Sequence, residues 1–370
     1  MKGFKSIIIG IVAISVPLNG AWRINTIAGG GGDGIDVGQG RNDGANRVYV
    51  VSGNSIREYS YTGGNWGFAA LPSGGADFGC GDVVVGKGRN DGIYRVYAGG
   101  AYGGIVEFTY TGGSWNPSVV SSRGYIESLL IGDGRNDGQM QVYVQVYANG
   151  GVHECRWTGT GWSELTIMGS DATRYPAIGP GRNDGINRLY IPQSFSTLLE
   201  YTWNGSSYTG GTIPISFGEI GMVCVGRGRG DGTNRVYVTQ VGNFKELTYT
   251  GSWASSNGGN GSVFSICVGK LQADGKDRVY SRNTSDNVYE CAWSGSSWNT
   301  DNIDAITRAS IAIGEGRNDD TMRMYVAAGT NSSDPLYEIT NTNPYVIDTT
   351  GVEEDRGQKA KIRNLSYPIY

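Results

Sequence analysis

Gly86-Lys-Gly-Arg-Asn-Asp-Gly-Ile-Tyr-Arg-Val-Tyr97 decides the fold, because it is one of seven near-copies along the chain. The shared core is Asp-Gly-x-x-Arg-Val-Tyr, usually preceded by Gly-x-Gly-Arg-Asn. Its aspartate is Asp43, Asp91, Asp137, Asp184, Asp231, Asp274 and Asp319, spaced 48, 46, 47, 47, 43 and 45 residues apart. A fixed period in the forties marks a propeller, solenoid or array built from one repeated supersecondary unit.

Working outward from that copy gives the unit. Gly81-Asp-Val-Val-Val85 is an apolar run suited to a buried strand. Asn-Asp-Gly supplies the positive-φ positions of a tight turn. Arg95-Val-Tyr-Ala98 is a second strand, and Ile105-Val-Glu-Phe-Thr-Tyr110 alternates as a third. After the turn Thr111-Gly-Gly-Ser114, Trp115 opens a fourth. Four short antiparallel strands per period predict an all-β, seven-bladed β-propeller of four-stranded blades. Ala21-Trp-Arg-Ile-Asn-Thr-Ile27 precedes the first copy yet reads like the fourth strands at Trp66, Trp115 and Trp162. It is expected to complete the last blade as its outer strand, joining the ring ends and hiding open edges.

Composition narrows the function. The chain has 370 residues, 62 glycines, one histidine and a net charge of −4, with no Lys/Arg-rich run, which argues against a nucleic-acid partner. Lys2 and Lys5 precede the short apolar run Ser6–Val16, followed by Pro17, Gly20 and Ala21. That pattern reads as an export signal over residues 1–21, too short for a membrane span, and places the protein outside the cell or at its surface. Residues 22–347 form the propeller. Residues 348–370 are polar and read as a flexible tail, which also looks like the linker that opens C-terminal sorting domains of some bacterial secreted proteins. The five cysteines sit at apolar repeat positions and are expected to be core thiols. Each Arg-Asn-Asp-Gly turn offers one reliable carboxylate, too few for calcium, so no metal or cofactor is expected. Arg229-Gly-Asp231 is one repeat's variant of that turn.

Each repeat carries an Arg after Asp-Gly-x-x, a Glu in the third strand, an aromatic three residues later and another after the next turn. Arg47 and Glu58 flank a hairpin near Ser52-Gly53 and are expected about opposite each other. Such pairs read equally as cross-strand salt bridges. With the aromatics they also form the mixture a sugar needs, polar groups for hydroxyls beside an apolar wall.

Arg47-Val-Tyr-Val-Val-Ser-Gly-Asn-Ser-Ile-Arg-Glu-Tyr-Ser-Tyr-Thr-Gly-Gly-Asn-Trp66, and the corresponding run from Arg278 to Trp298, resemble the repeats of fungal fucose-binding propeller lectins. The likeness covers about half of each repeat. It implies sugars bound between blades, with Arg and Glu from one blade and the aromatic pair from the next. By position the sites are Arg47 and Glu58 with Tyr110 and Trp115; Arg95 and Glu107 with Trp157 and Trp162; Arg188 and Glu200 with Tyr249 and Trp253; Arg235 and Glu246 with Trp293 and Trp298; and Arg323 and Glu338 with Tyr61 and Trp66. Gln141 replaces the arginine beside Glu154, and Arg278 and Glu290 would meet a poor wall of Asn341 and Tyr345. Those lectins have six blades and lack the Arg-Asn-Asp-Gly turn.

No catalytic set is legible. His153 stands alone, and the repeated acids pair with arginine instead of facing one another. The expected function is a secreted multivalent lectin binding glycans. The alternative is a surface-displayed scaffold that binds protein and no sugar.

Overall fold

The computed structural model describes residues 21–347 and 360–362, apart from 80, 148–149, 173–174, 195, 261–264, 284, 308–309 and 330. Residues 1–20 of the expected export signal (1–21) and most of the tail lie outside the described residues.

The chain folds as seven four-stranded antiparallel blades. Strand β1 (Trp22–Gly29) runs first, followed by the first blade: β2 (Ile35–Gly38), β3 (Arg47–Ser52), β4 (Ser55–Thr62) and β5 (Asn65–Ala70). These four pair in sequence order, and the next five blades repeat the pattern. In the seventh blade, strands 310–314, 323–327 and 335–341 take the first three places and β1 takes the fourth, with Trp22 opposite Asn341 and Gly29 opposite Pro335. The outer strand of the last blade thus comes from the chain's beginning. The segment then crosses to the inner edge of the first blade through a glycine run. A Cβ on Gly31 or Gly32 would lie 1.8 or 1.6 Å from the carbonyl oxygens of Ala328 and Val51, so only glycine fits. Within the tail, Ala360–Ile362 form a short strand antiparallel to 310–314, on that strand's free edge.

The pleat follows the sequence. Inner strands such as Asp82–Gly86 are buried on both faces, and second strands such as Arg95–Gly99 likewise. Outer strands such as Asn65–Ala70 are largely exposed. The seven tyrosines of the second strands, from Tyr49 to Tyr325, are fully buried. Core clusters straddle neighbouring blades: Tyr49 and Val51 of the first pack with Val83, Val85 and Val96 of the second. The glycine that ends each inner strand makes this possible. A Cβ on Gly86 would meet Ile131 at 2.8 Å, and one on Gly314 would meet Val37 at 2.8 Å across the ring closure.

The Arg-Asn-Asp-Gly turns carry a second blade-to-blade contact. Asn42, Asn90, Asn136, Asn183 and Asn318 all adopt φ of 56–60°. In that conformation the side chain reaches the next blade's turn. Asn136 Oδ1 accepts from the Asn187 amide at 2.6 Å, and its Nδ2 donates to the Asn187 carbonyl at 3.0 Å. Asn90 clasps Met140 in the same way at 2.5 and 2.8 Å. Asn318 clasps Asn46 at 2.5 and 3.0 Å, across the closure between the last and first blades. Gly230 takes the turn position in the fifth blade, with φ 66°, and carries no clasp.

Replacing Asn136 with glycine keeps the positive φ and removes only the clasp. The variant should lose about 1–2 kcal/mol of unfolding free energy, read from the denaturant midpoint. An unchanged midpoint would show that the clasps carry no ring stability.

Candidate inter-blade clefts

Each cleft is built from the turn, the third strand and the next blade. The register places Tyr49 opposite Glu58, and Tyr97 opposite Glu107. The repeat arginine of the second strand therefore sits two residues off the glutamate, not opposite it as its spacing from the hairpin predicts. Arg47 Nε donates to Ser60 Oγ at 3.1 Å and lies 3.9 Å from Glu58. Its terminal nitrogens are taken by its own turn aspartate, at 2.8 and 2.7 Å from Asp43. Arg95–Asp91, Arg188–Asp184, Arg235–Asp231, Arg278–Asp274 and Arg323–Asp319 repeat this two-pronged pair.

The glutamates are held by a different arginine, the one inside the turn. Arg41 Nε and Nη2 meet Glu58 at 3.1 and 2.5 Å. Arg89 meets Glu107 at 2.9 and 2.5 Å, Arg135 meets Glu154 at 2.9 and 2.5 Å, and Arg229 meets Glu246 at 2.9 and 2.5 Å. Arg182–Glu200 and Arg317–Glu338 pair likewise. Beyond the glutamate each guanidinium lies over an aromatic ring of the following blade: Arg41 over Tyr110 at 4.5 Å, Arg89 over Trp157 at 3.9 Å, Arg135 over Trp203 at 4.0 Å, Arg182 over Tyr249 at 4.4 Å, Arg229 over Trp293 at 3.7 Å and Arg317 over Tyr61 at 4.2 Å. The second aromatic packs deeper, edge-on to the buried tyrosine of the preceding blade. Trp115 meets Tyr49, Trp162 meets Tyr97, Trp253 meets Tyr190, Trp298 meets Tyr237 and Trp66 meets Tyr325, with ring centroids 5.9–6.2 Å apart. The indole N–H groups of those five tryptophans are buried without an acceptor in the protein.

The structure thus gathers each predicted glutamate with the predicted aromatics of the next blade, and the predicted arginines Arg47, Arg95, Arg188, Arg235 and Arg323 keep an Nε 3.6–3.9 Å from those glutamates while their terminal nitrogens bind the turn aspartates. The turn arginines were the missed residues. Their signal was present, since Arg41, Arg89, Arg135, Arg182, Arg229 and Arg317 recur with the same period.

Two clefts depart from the pattern. Between the third and fourth blades Gln141 stands at the arginine position. Tyr208 replaces the deep tryptophan, and its hydroxyl donates to Glu154 at 2.7 Å and lies 2.8 Å from the Tyr143 hydroxyl. Asp137 meets Arg156 instead, at 3.4 Å. Between the sixth and seventh blades Gln272 replaces the turn arginine and donates to Glu290 at 2.7 Å. Burial pushes the Glu290 carboxyl up, with Arg278 opposing. The wall is Asn341 with Trp22 at the deep tryptophan position, 6.4 Å edge-on from Tyr280, rather than Asn341 with Tyr345. Tyr345 lies further along, its amide bonded to the Leu271 carbonyl.

An open cavity of about 390 Å³ lies between the fourth and fifth blades. Arg182, Glu200, Thr202, Thr209, Thr212 and Trp253 line it, together with the backbone of Gly210 and Gly211. Arg182 is the most exposed of the turn arginines, at 30%.

No family model matches the sequence, and no curated protein does. Solved structures do. The chain is similar to BBS1N, solved in complex with ARL6DN, at 11% identity and a TM-score of 0.59, covering 89% of this chain and 100% of that one. It is similar to YCF48 from Cyanidioschyzon merolae at 12% identity and a TM-score of 0.54, covering 86% and 98%. It also resembles the Aleuria aurantia lectin, a six-bladed propeller with a fucose recognition mode, at 21% identity and a TM-score of 0.43, covering 73% and 94%. The likenesses to BBS1N and YCF48 bear on the propeller fold alone.

His153 is a strand residue whose ring nitrogens meet Thr166 Oγ1 and the Gly150 carbonyl, and burial lowers its pKa. Burial pushes the Cys155 and Cys291 thiols up to about 12. Among the described residues no cluster of three or more His, Cys, Asp or Glu side chains could hold a metal ion. Among the described residues no helix is long and apolar enough to cross a membrane. In the Arg229-Gly-Asp231 run both charges are spent, Arg229 on Glu246 and Asp231 on Arg235.

The aspartate–arginine pairs make stability depend on pH. Hydrogen bonds from the arginine hold the carboxyls of Asp43, Asp91 and Asp231 below the usual range and bring Asp184 to about 2. At Asp274 and Asp319 burial pushes up, and the arginine and backbone amides outweigh it. A carboxyl depressed by folding stabilises above its unfolded pKa, and that contribution is lost as pH falls through the folded value. The melting temperature should therefore drop between about pH 4 and pH 2, and Asp184→Asn should reduce the drop; equal profiles would refute the assignment. Arg95→Ala should cost roughly 1–2 kcal/mol of stability and leave the Arg89–Glu107–Trp157 cleft in place, so ligand binding there should be unchanged.

Proposed function

We propose that the protein is a secreted or surface-displayed multivalent lectin that binds fucose-like or related sugars between blades. The observation that carries this reading is the cavity lined by Arg182, Glu200, Thr202, Thr209, Thr212 and Trp253. Its chemistry suits a pyranoside. Guanidinium and carboxylate, with three threonine hydroxyls, offer donors and acceptors to sugar hydroxyls, glycine backbone allows close approach, and an aromatic edge packs against C–H groups. The set of arginine, glutamate and aromatic ring repeats in six clefts, so several weak sites would act together on a dense glycan surface. Export rests on the N-terminal pattern of Lys2, Lys5 and the apolar run to Val16.

A second reading, a scaffold for protein partners, is favoured by one feature: the glutamates are already satisfied within the protein by arginine or, at Glu290, by glutamine. A glycan array probed with the chain from residue 22 to 347, with free L-fucose as competitor, separates the two. The lectin reading expects binding that fucose abolishes and that Trp253→Ala weakens. A folded protein that binds no glycan leaves the scaffold.

A further inference from the structure

The geometry points to an exchange at the mouth of each cleft: the turn arginine rests on the aromatic ring in the free protein and must leave it for a neutral pyranoside to stack there. This inference rests on the lectin reading above and adds the regulation and ligand charge of the same sites.

The guanidinium is placed between the glutamate of one blade and the ring of the next, 3.7–4.5 Å from the ring centroid in six clefts. At that distance it occupies the ring surface that faces the cleft, and a sugar's C–H face needs the same surface. In three clefts a further Nη1–H reaches the tyrosine hydroxyl, at 3.2 Å for Arg41 to Tyr110, 3.3 Å for Arg182 to Tyr249 and 3.0 Å for Arg317 to Tyr61. The arginine is tethered at its glutamate edge and by this ring contact, with Arg89 also donating to Ser118 Oγ at 3.4 Å. It remains 14–30% exposed while the glutamate beneath is 7% or less. The guanidinium can therefore tilt off the ring while keeping its carboxylate, and a glutamine in its place would keep one N–H for the carboxylate and one for a ligand's hydroxyl without covering the ring.

The exchange sets a preference. A neutral sugar must displace a cation–π contact, so its affinity is lowered by the worth of that contact. A carboxylated sugar would attract the arginine, so removing the charge would have the opposite effect. The chain itself supplies a variant that keeps the buried glutamate satisfied, since Gln272 at the turn position donates to Glu290 at 2.7 Å. Arg182→Gln and Arg229→Gln should therefore fold, where alanine would strand a buried carboxylate.

The test titrates wild type and the two glutamine variants against an array of neutral fucosyl, galactosyl, mannosyl and glucosyl glycans and of sialylated and uronic-acid glycans. Thermal melts confirm that each variant is folded. The exchange expects neutral glycans bound by wild type to bind each variant more tightly, by roughly two- to fivefold per cleft, with no gain for acidic ones. Neutral glycans bound equally or more weakly by the variants, or a loss confined to acidic glycans, would overturn the exchange and leave the lectin reading standing. No glycan bound by any of the three proteins would overturn the lectin reading and the exchange with it. A variant that does not fold is replaced by Arg89→Gln, in a cleft where Ser118 Oγ also donates to the buried Glu107 at 3.3 Å, and the same outcomes decide.

Discussion

A ring of separate sheets persists only if every blade grips the next, and here the grip comes from a turn of four residues. The glycine ending each inner strand lets a β-branched side chain of the next blade seat against the backbone, as Val37 does at Gly314. The turn that follows divides its labour. Its arginine pairs with the glutamate of its own blade and crosses the cleft to the next ring, and its asparagine clasps the next turn. Its aspartate holds the arginine of the second strand, and its glycine supplies φ near 80° to reverse the chain. Every part except the glycine makes a side-chain contact that another residue type would not make in the same way. The uniformity of the motif follows from four simultaneous geometric demands, with no need for a metal.

The same economy explains the closure. Asn318 clasps Asn46 and Gly314 accepts Val37, so the last and first blades meet through the ordinary interface. The irregularity is moved elsewhere. The seventh blade borrows β1 as its outer strand, and Trp22 takes the place that Trp66 or Trp115 fills in other blades. A strand from one end of the chain then ties down three from the other, so opening the ring would expose two strand edges at once.

Most of this was legible in the residues. Asn-Asp-Gly forces positive φ, Val and Tyr at period two mark strands, and the early Trp22 matches later outer strands. What misled was the choice between two arginines six residues apart. Arg41 and Arg47 recur with equal regularity, and spacing alone does not say which guanidinium turns to Glu58 and which to Asp43. The deciding facts are register and reach. Tyr49, not Arg47, stands opposite Glu58, and the turn brings Arg41 back over the third strand. The sixth cleft was misjudged for a related reason: counting along the chain assigns Tyr345 to the wall, whereas the borrowed strand delivers Trp22.

The third blade shows which arginine is structural. Gln141 removes the cation that elsewhere holds the turn aspartate, and an arginine appears at 156, where other blades have Ser60, Thr109 or Thr248 as the partner of that cation. Val142 pairs with Cys155, so positions 141 and 156 are adjacent across the strands. The charge has moved one strand over, and it still reaches Asp137. The glutamate, deprived of the nearby Nε, gains the Tyr208 hydroxyl in place of a tryptophan, whose indole N–H in five other clefts makes no hydrogen bond. If the second-strand arginine served mainly to grip a ligand, its loss would call for no replacement at the aspartate. The relocation is what a blade staple requires, and it leaves the turn arginine, kept as Arg135 on Trp203, as the cation that faces the cleft.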